Sequence, residues 1–180
     1  MKVVPVKIRN VNVYPFQDME ELIDYTVDKK KLLLSLNAEI IMRAEGEVAD
    51  IINSNVGYAD GYGAVKAMYR KGEKELKRIP GCELWLELVK RYHSLKTFYL
   101  IGSTEDTICA TVKKLKELYP DINIVGYRNG FIKETSEKEA LLVDVKEKKP
   151  DFVFVAMGFP IQELLMYELY RIHTAPYLNL

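Results

Sequence analysis

Five short strand-like runs, each closed by a polar or glycine-bearing turn and followed by a helix-like segment, constrain this chain more than any other feature. Leu32-Leu33-Leu34-Ser35-Leu36 reads as a buried strand, and Asn37, a good cap residue, opens a helix after it. Val56 to Ala59 is a second, weaker strand, ending at Asp60-Gly61-Tyr62-Gly63, with a helix running on through Ala67 and Tyr69. Pro80-Gly81 breaks the chain before a helix from Glu83 to His93. Thr97 to Ile101 is a strand ending in Gly102-Ser103-Thr104, and Glu105 to Tyr119 is an amphipathic helix. Ile122 to Val125 is a strand ending in a Gly126-Tyr127 loop. Ser136 to Lys148 is a helix opened by Ser136 and Glu139 at capping-box spacing. Asp151 to Met157 is a strand ending in Gly158-Phe159-Pro160, before a final helix from Ile161 to Ile172.

This alternation predicts an α/β fold, a Rossmann-like and mostly parallel sheet flanked by helices, with strand order left unread. Ahead of it, Val6 to Tyr14 alternates apolar and polar residues, as a short N-terminal antiparallel ribbon would. Gln17 to Lys30 places Met19, Leu22, Ile23 and Val27 at helical spacing. The 180 residues suit a single domain, 1–180.

In such a sheet the five turns share one edge, where ligands bind. Glycines there admit close backbone approach, and helix N-termini favour a phosphate or diphosphate. Lys+Arg and Asp+Glu are both 26, so the chain shows no electrostatic footprint for nucleic acid. Two cysteines, Cys82 and Cys109, and two histidines suit neither a disulfide framework nor a zinc site, and the cysteines read as small buried hydrophobes. Met1 to Asn10 has no apolar core of a leader peptide, and no run approaches a membrane span, so the expectation is a cytoplasmic chain. The G-x-G-x-x-G, P-loop and G-x-S-x-G signatures are absent, as is the D-x-D metal clamp.

Seven motifs occur in order: Ser35-Leu36-Asn37-Ala38-Glu39, Asp60-Gly61-Tyr62-Gly63, Leu100-Ile101-Gly102, Tyr119-Pro120 with Ile124-Val125-Gly126, Gly130-Phe131, Pro150-Asp151, and Gly158-Phe159-Pro160-Ile161-Gln162-Glu163. Together they resemble the bacterial TagA/WecG/CpsF glycosyltransferase family, from about Val11 onward. The resemblance implies transfer of an N-acetylmannosamine-type sugar from a UDP donor to a polyprenyl-diphosphate-linked sugar acceptor. It places the reaction at the cytoplasmic membrane face, in wall teichoic acid, common antigen or capsule synthesis. It implies inversion at the anomeric carbon and neither metal nor other cofactor, in keeping with the missing D-x-D.

By the same resemblance Asp60 is the general base, Ser35 holds the family's threonine position, and Asn37 and Gln162 orient donor or acceptor. Gly61 and Glu163 fall in the same motifs, and Gly102, Gly126 and Gly158 match loops lining the nucleotide. Each has a plainer reading. Asp60 could serve only as a turn and helix cap, Asn37 as a cap, Gln162 and Glu163 as an ordinary helix start, and the glycines as tight turns.

Two departures stand out. Ile161 occupies a position where the family usually carries lysine. The family's G-G-x-F-D segment, R-A-P motif and basic appendage, the last thought to contact the membrane and supply arginines, do not follow before Leu180. The expectation is a truncated or short member whose site this chain alone does not complete. A non-catalytic UDP-sugar-binding or assembly subunit is the alternative. Tyr177 to Leu180 reads as an interrupted strand, an exposed apolar tail that would favour a homo-oligomer.

Overall fold

The computed structural model describes residues 3–180. Met1 and Lys2, the start of the segment read above as lacking a leader, lie outside them, as does the side chain of Val27. Strands β1 (Val6–Ile8) and β2 (Val11–Val13) form the expected antiparallel ribbon. There follow α1 (Met19–Lys29), β3 (Leu32–Leu36), α2 (Ala38–Arg43), α3 (Gly46–Asn53), β4 (Val56–Ala59), α4 (Tyr62–Arg70) and α5 (Gly81–Tyr92). The second half holds β5 (Thr97–Gly102), α6 (Glu105–Leu118), β6 (Asn123–Arg128), α7 (Thr135–Lys148), β7 (Phe152–Ala156), α8 (Ile161–Ile172) and β8 (Tyr177–Asn179). β3 to β8 form one six-stranded sheet, in the order β4-β3-β8-β7-β5-β6, with every neighbour parallel.

Alternation along each strand splits the apolar side chains between two cores. Leu32, Leu34 and Leu36 of β3, with Val153 and Val155 of β7, face the ribbon and helices α2, α3, α4, α7 and α8. Leu33 of β3, Phe98 of β5 and Phe152 and Phe154 of β7 face α1, α5 and α6. Both faces are covered, which is why the strands read as continuous apolar runs.

Four expectations are corrected. The tail after Ile172 is not exposed: β8 fills the gap between β3 and β7, and Ala175, Tyr177 and Leu178 are buried. Sealing Leu178 alone is worth about 2 kcal/mol, and the ground for expecting self-association disappears. Gly126 does not end a strand; it sits inside β6. A Cβ there would stand 2.2 Å from a ring carbon of Tyr99, so its small size serves packing rather than a ligand loop. The capping box of α7 lies two residues earlier than expected, with the Glu137 carboxylate accepting from the backbone N–H of Glu134 at 3.0 Å. Cys82 and Cys109 are exposed, because each falls on the solvent side of its helix.

Among the described residues no helix is long and apolar enough to cross a membrane.

Candidate functional site

Because all six strands run the same way, their carboxyl ends share one edge, and the turns beyond them form two neighbouring groups. In the first, β3 and β4 end side by side. The Asp60 N–H donates to the Leu36 carbonyl at 3.1 Å, carrying the ladder one residue past the strands. Asn37 caps α2, its Oδ1 accepting from the Ile40 N–H at 2.9 Å. Gly61 precedes α4, and a Cβ on it would lie 3.2 Å from the Asn37 Cβ, so the two turns abut. Asp60 is left at the mouth, its side chain 27% exposed.

Arg78 comes to the same carboxylate from the segment before α5. That segment is pinned by buried Leu76 and Ile79, and the Ile79 N–H donates to the Ala59 carbonyl at 3.0 Å. Arg78 Nε donates to the Asp60 carbonyl, Nη2 lies 3.5 Å from Asp60 Oδ1, and the guanidinium stands 5.4 Å from the Tyr62 ring centroid. A carboxylate and an arginine thus share a half-open site, an arrangement that can take a proton beside a bound anion.

The second group gathers the turns after β5, β6 and β7. Gly102 has φ 141°, and Ser103, itself at φ 57°, donates from its N–H to the Ala156 carbonyl at 3.0 Å. The Gly130 N–H donates to the Ser103 carbonyl at 2.9 Å, so the three turns lock together. Beside them lies a cavity of about 200 Å³, with Trp85, Ile108, Phe154 and Leu180 as apolar wall and the hydroxyl residues Ser103 and Thr107 at its lip. Gly158, at φ 81°, faces open space. Helices α4 and α8 open on Gly61 and Pro160 with no side-chain cap, whereas Asn37 and Thr104 cap α2 and α6. Uncapped first turns favour an anionic ligand.

A buried polar chain joins the groups through the middle of the sheet. The Ser35 N–H donates to Asn179 Oδ1 at 2.6 Å, and Asn179 Nδ2 donates to Glu163 Oε1 at 2.9 Å. Gln162 Nε2 donates to the same oxygen at 3.2 Å, and Gln162 Oε1 accepts the N–H groups of Met157 and Gly158 at 3.1 and 3.0 Å. Gln162 therefore shapes the Gly158 turn. Glu163 is only 1% exposed and braces Gln162 and Asn179 from below.

Burial pushes the Glu163 carboxyl up from its ordinary 4.5, and its Oε2 finds no partner among the described residues. A raised folded-state value means that this group's stabilisation is complete below the unfolded value and is lost as pH rises through the folded one. Urea unfolding at a series of pH values should show stability falling above about pH 4.5, a slope that Glu163→Gln removes. Glu163→Leu strands two buried amide groups and should cost about 2–4 kcal/mol at every pH. A leucine variant as stable as wild type would contradict the bracing role.

Of the residues expected from sequence, Ser35, Asn37, Asp60 and Gly61 come together in the first group, and Gly102, Gly158 and Gln162 line the second. Glu163 links them, and Gly126 stands apart inside β6. Sequence reasoning missed Arg78 and Asn179. Arg78 offered one faint signal, a cation two residues before the Pro80-Gly81 break. Asn179 offered another, a lone amide in an apolar run.

Comparison with known families agrees with the ordered motifs. The family described as "Glycosyl transferase WecG/TagA/CpsF family" matches residues 1–178, nearly the whole chain. With the parallel sheet, the carboxylate at its edge and the glycine turns beside it already in place, this chain belongs to the WecG/TagA/CpsF family of glycosyl transferases.

Proposed function

We propose that the chain transfers an N-acetylmannosamine-type sugar from a UDP donor to a hydroxyl of a polyprenyl-diphosphate-linked sugar, in teichoic acid or other cell-surface polysaccharide synthesis. The observation that supports it best is Asp60, half-open at the sheet edge with Arg78 against it. In this reading the Asp60 carboxylate accepts the proton of the acceptor hydroxyl while that oxygen attacks the anomeric carbon. The bond from that carbon to the diphosphate breaks, and UDP leaves with the electron pair. Arg78 and the uncapped N-termini of α4 and α8 meet the charge that develops on the diphosphate. The cavity beside Gly102 suits the flat uracil base. Because the acceptor is lipid-linked, the reaction belongs at the inner membrane face.

A second reading is a UDP-sugar-binding subunit without catalysis. Ile161 favours it, since this residue stands 57% exposed at the start of α8, where the family usually has a cation. One experiment separates the two. With UDP-N-acetylmannosamine and a short-chain lipid-linked acceptor, the transferase releases UDP only when acceptor is present. UDP-dependent thermal stabilisation without acceptor-dependent release would favour the binding subunit, and neither effect would remove both readings.

A further inference from the structure

Tyr58 of β4 lies directly opposite Ser35 of β3, on the sheet face that α5 covers. It is 0% exposed, and its hydroxyl has no hydrogen-bond partner among the described residues. The neighbouring Ser35 hydroxyl acts on the phenol as a weak hydrogen-bond partner would, lowering its ionisation, but no bond of full geometry joins the two. Leaving a buried hydroxyl unpaired costs about 1–3 kcal/mol, and phenylalanine would fill the same space without that cost. The aromatic packing therefore does not account for the oxygen.

Its surroundings do. The hydroxyl reaches the first residue of α5, Gly81, which has no side chain to stop it. A methyl group there would lie 3.3 Å from Tyr58 Oη, 3.4 Å from Ser35 Cβ and 3.5 Å from Asp60 Oδ2. The phenol and the carboxylate thus converge on one point beside a bare α-carbon. The two oxygens of Asp60 are divided: Oδ1 lies toward Arg78, and Oδ2 toward the bare α-carbon of Gly81 that Tyr58 Oη also approaches. Burial, reinforced by the nearby Asp60 charge, pushes the phenol's ionisation up, so it keeps its proton as a donor. The other titratable groups around this point are Cys82 in the first turn of α5 and, through the Arg78 guanidinium, Tyr62 of α4.

We propose that Tyr58 is a positioning residue of the Asp60 site, its hydroxyl held near Asp60 Oδ2 beside Gly81 as a polar neighbour that fixes how the carboxylate faces the acceptor. This rests on the reading of Asp60 as the base, and the contact itself is measurable without turnover.

The test uses Tyr58→Phe and Gly81→Ala, with Asp60→Asn as reference. In carboxyl-labelled protein at one fixed pH, the Asp60 Cγ resonance is the one absent from Asp60→Asn. It should be displaced in Tyr58→Phe, which loses the donor, and in Gly81→Ala, whose methyl enters the shared space. Tyr58→Phe should also keep or raise the thermal midpoint, and lower kcat about tenfold with KM nearly unchanged, about 1.4 kcal/mol of transition-state stabilisation. An unmoved Asp60 resonance in both variants overturns the proposal. So does a lowered midpoint in Tyr58→Phe, which would make the hydroxyl structural, or wild-type kcat in Tyr58→Phe when Asp60→Asn is inactive. A displaced resonance with full turnover in Asp60→Asn removes the base reading instead and leaves the Tyr58 contact standing.

Discussion

Asp60→Asn should lower sugar transfer by about 10²–10⁴-fold and leave the thermal midpoint and UDP affinity at wild-type values, if Asp60 is the base proposed above. The amide keeps the shape of the carboxylate but cannot take a proton. The fold around it does not depend on the charge. The Asp60 N–H holds the Leu36 carbonyl, and Arg78 Nε holds the Asp60 carbonyl, both through the backbone. Among the described residues the hydrogen-bonded pairing weakened at the carboxylate is the 3.5 Å approach of Arg78 to Oδ1, a partly exposed pair of small energetic weight. UDP affinity should be spared, because the groups proposed to hold the diphosphate, Arg78, the helix ends and the glycine turns, remain. Parallel turnover, thermal-shift and calorimetric measurements check all three statements. Transfer within about threefold of wild type would remove Asp60 from the chemistry, since that is far below the contribution of a general base.

The second large effect is on the scaffold. Gly102→Ala should destabilise the protein by about 4 kcal/mol or more, a large part of the total for a domain of this size. The added Cβ would meet the Ala156 carbonyl oxygen at 2.3 Å and its carbon at 2.7 Å, backbone atoms of the neighbouring strand that cannot swing aside. The φ of 141° adds strain of its own. Gly158 makes the control, since it also has positive φ but nothing within 4 Å of its missing Cβ. Gly158→Ala should therefore cost only about 1 kcal/mol. The pair is measured by denaturant unfolding. Equal losses at both positions would show that backbone conformation alone, and not the β5–β7 approach, decides the cost.

The two glycines look alike in the sequence, which marks the boundary of what could be read there. Periodicity located β3, β5 and β7 because strands covered on both faces read as apolar runs, and Asn37 announced α2 by its capping chemistry. The common edge followed from parallelism alone, so Asp60, Asn37, Gly102 and Gly158 could be grouped before any distance was known. What escaped were features created by neighbours distant in sequence. Tyr177-Leu178-Asn179 is too short to show a period, and its place between β3 and β7 depends on a strand order that sequence does not carry. Gly126 reads as a strand end until the Tyr99 ring is placed against it. Glu163 reads as a surface helix start until β8 arrives above it with Asn179. Arg78 reaches Asp60 only because Leu76 and Ile79 tuck the intervening segment against β4.

In the proposed reaction Asp60 acts as a base in a direct displacement, not as a nucleophile that first carries the sugar. The stereochemistry of the transferred sugar tests this directly. Nuclear magnetic resonance of the lipid-linked product formed from an α-linked UDP donor should show the β anomer, the single inversion of an acceptor oxygen attacking as UDP leaves. A product of retained configuration, or no acceptor-dependent product at all, would contradict it.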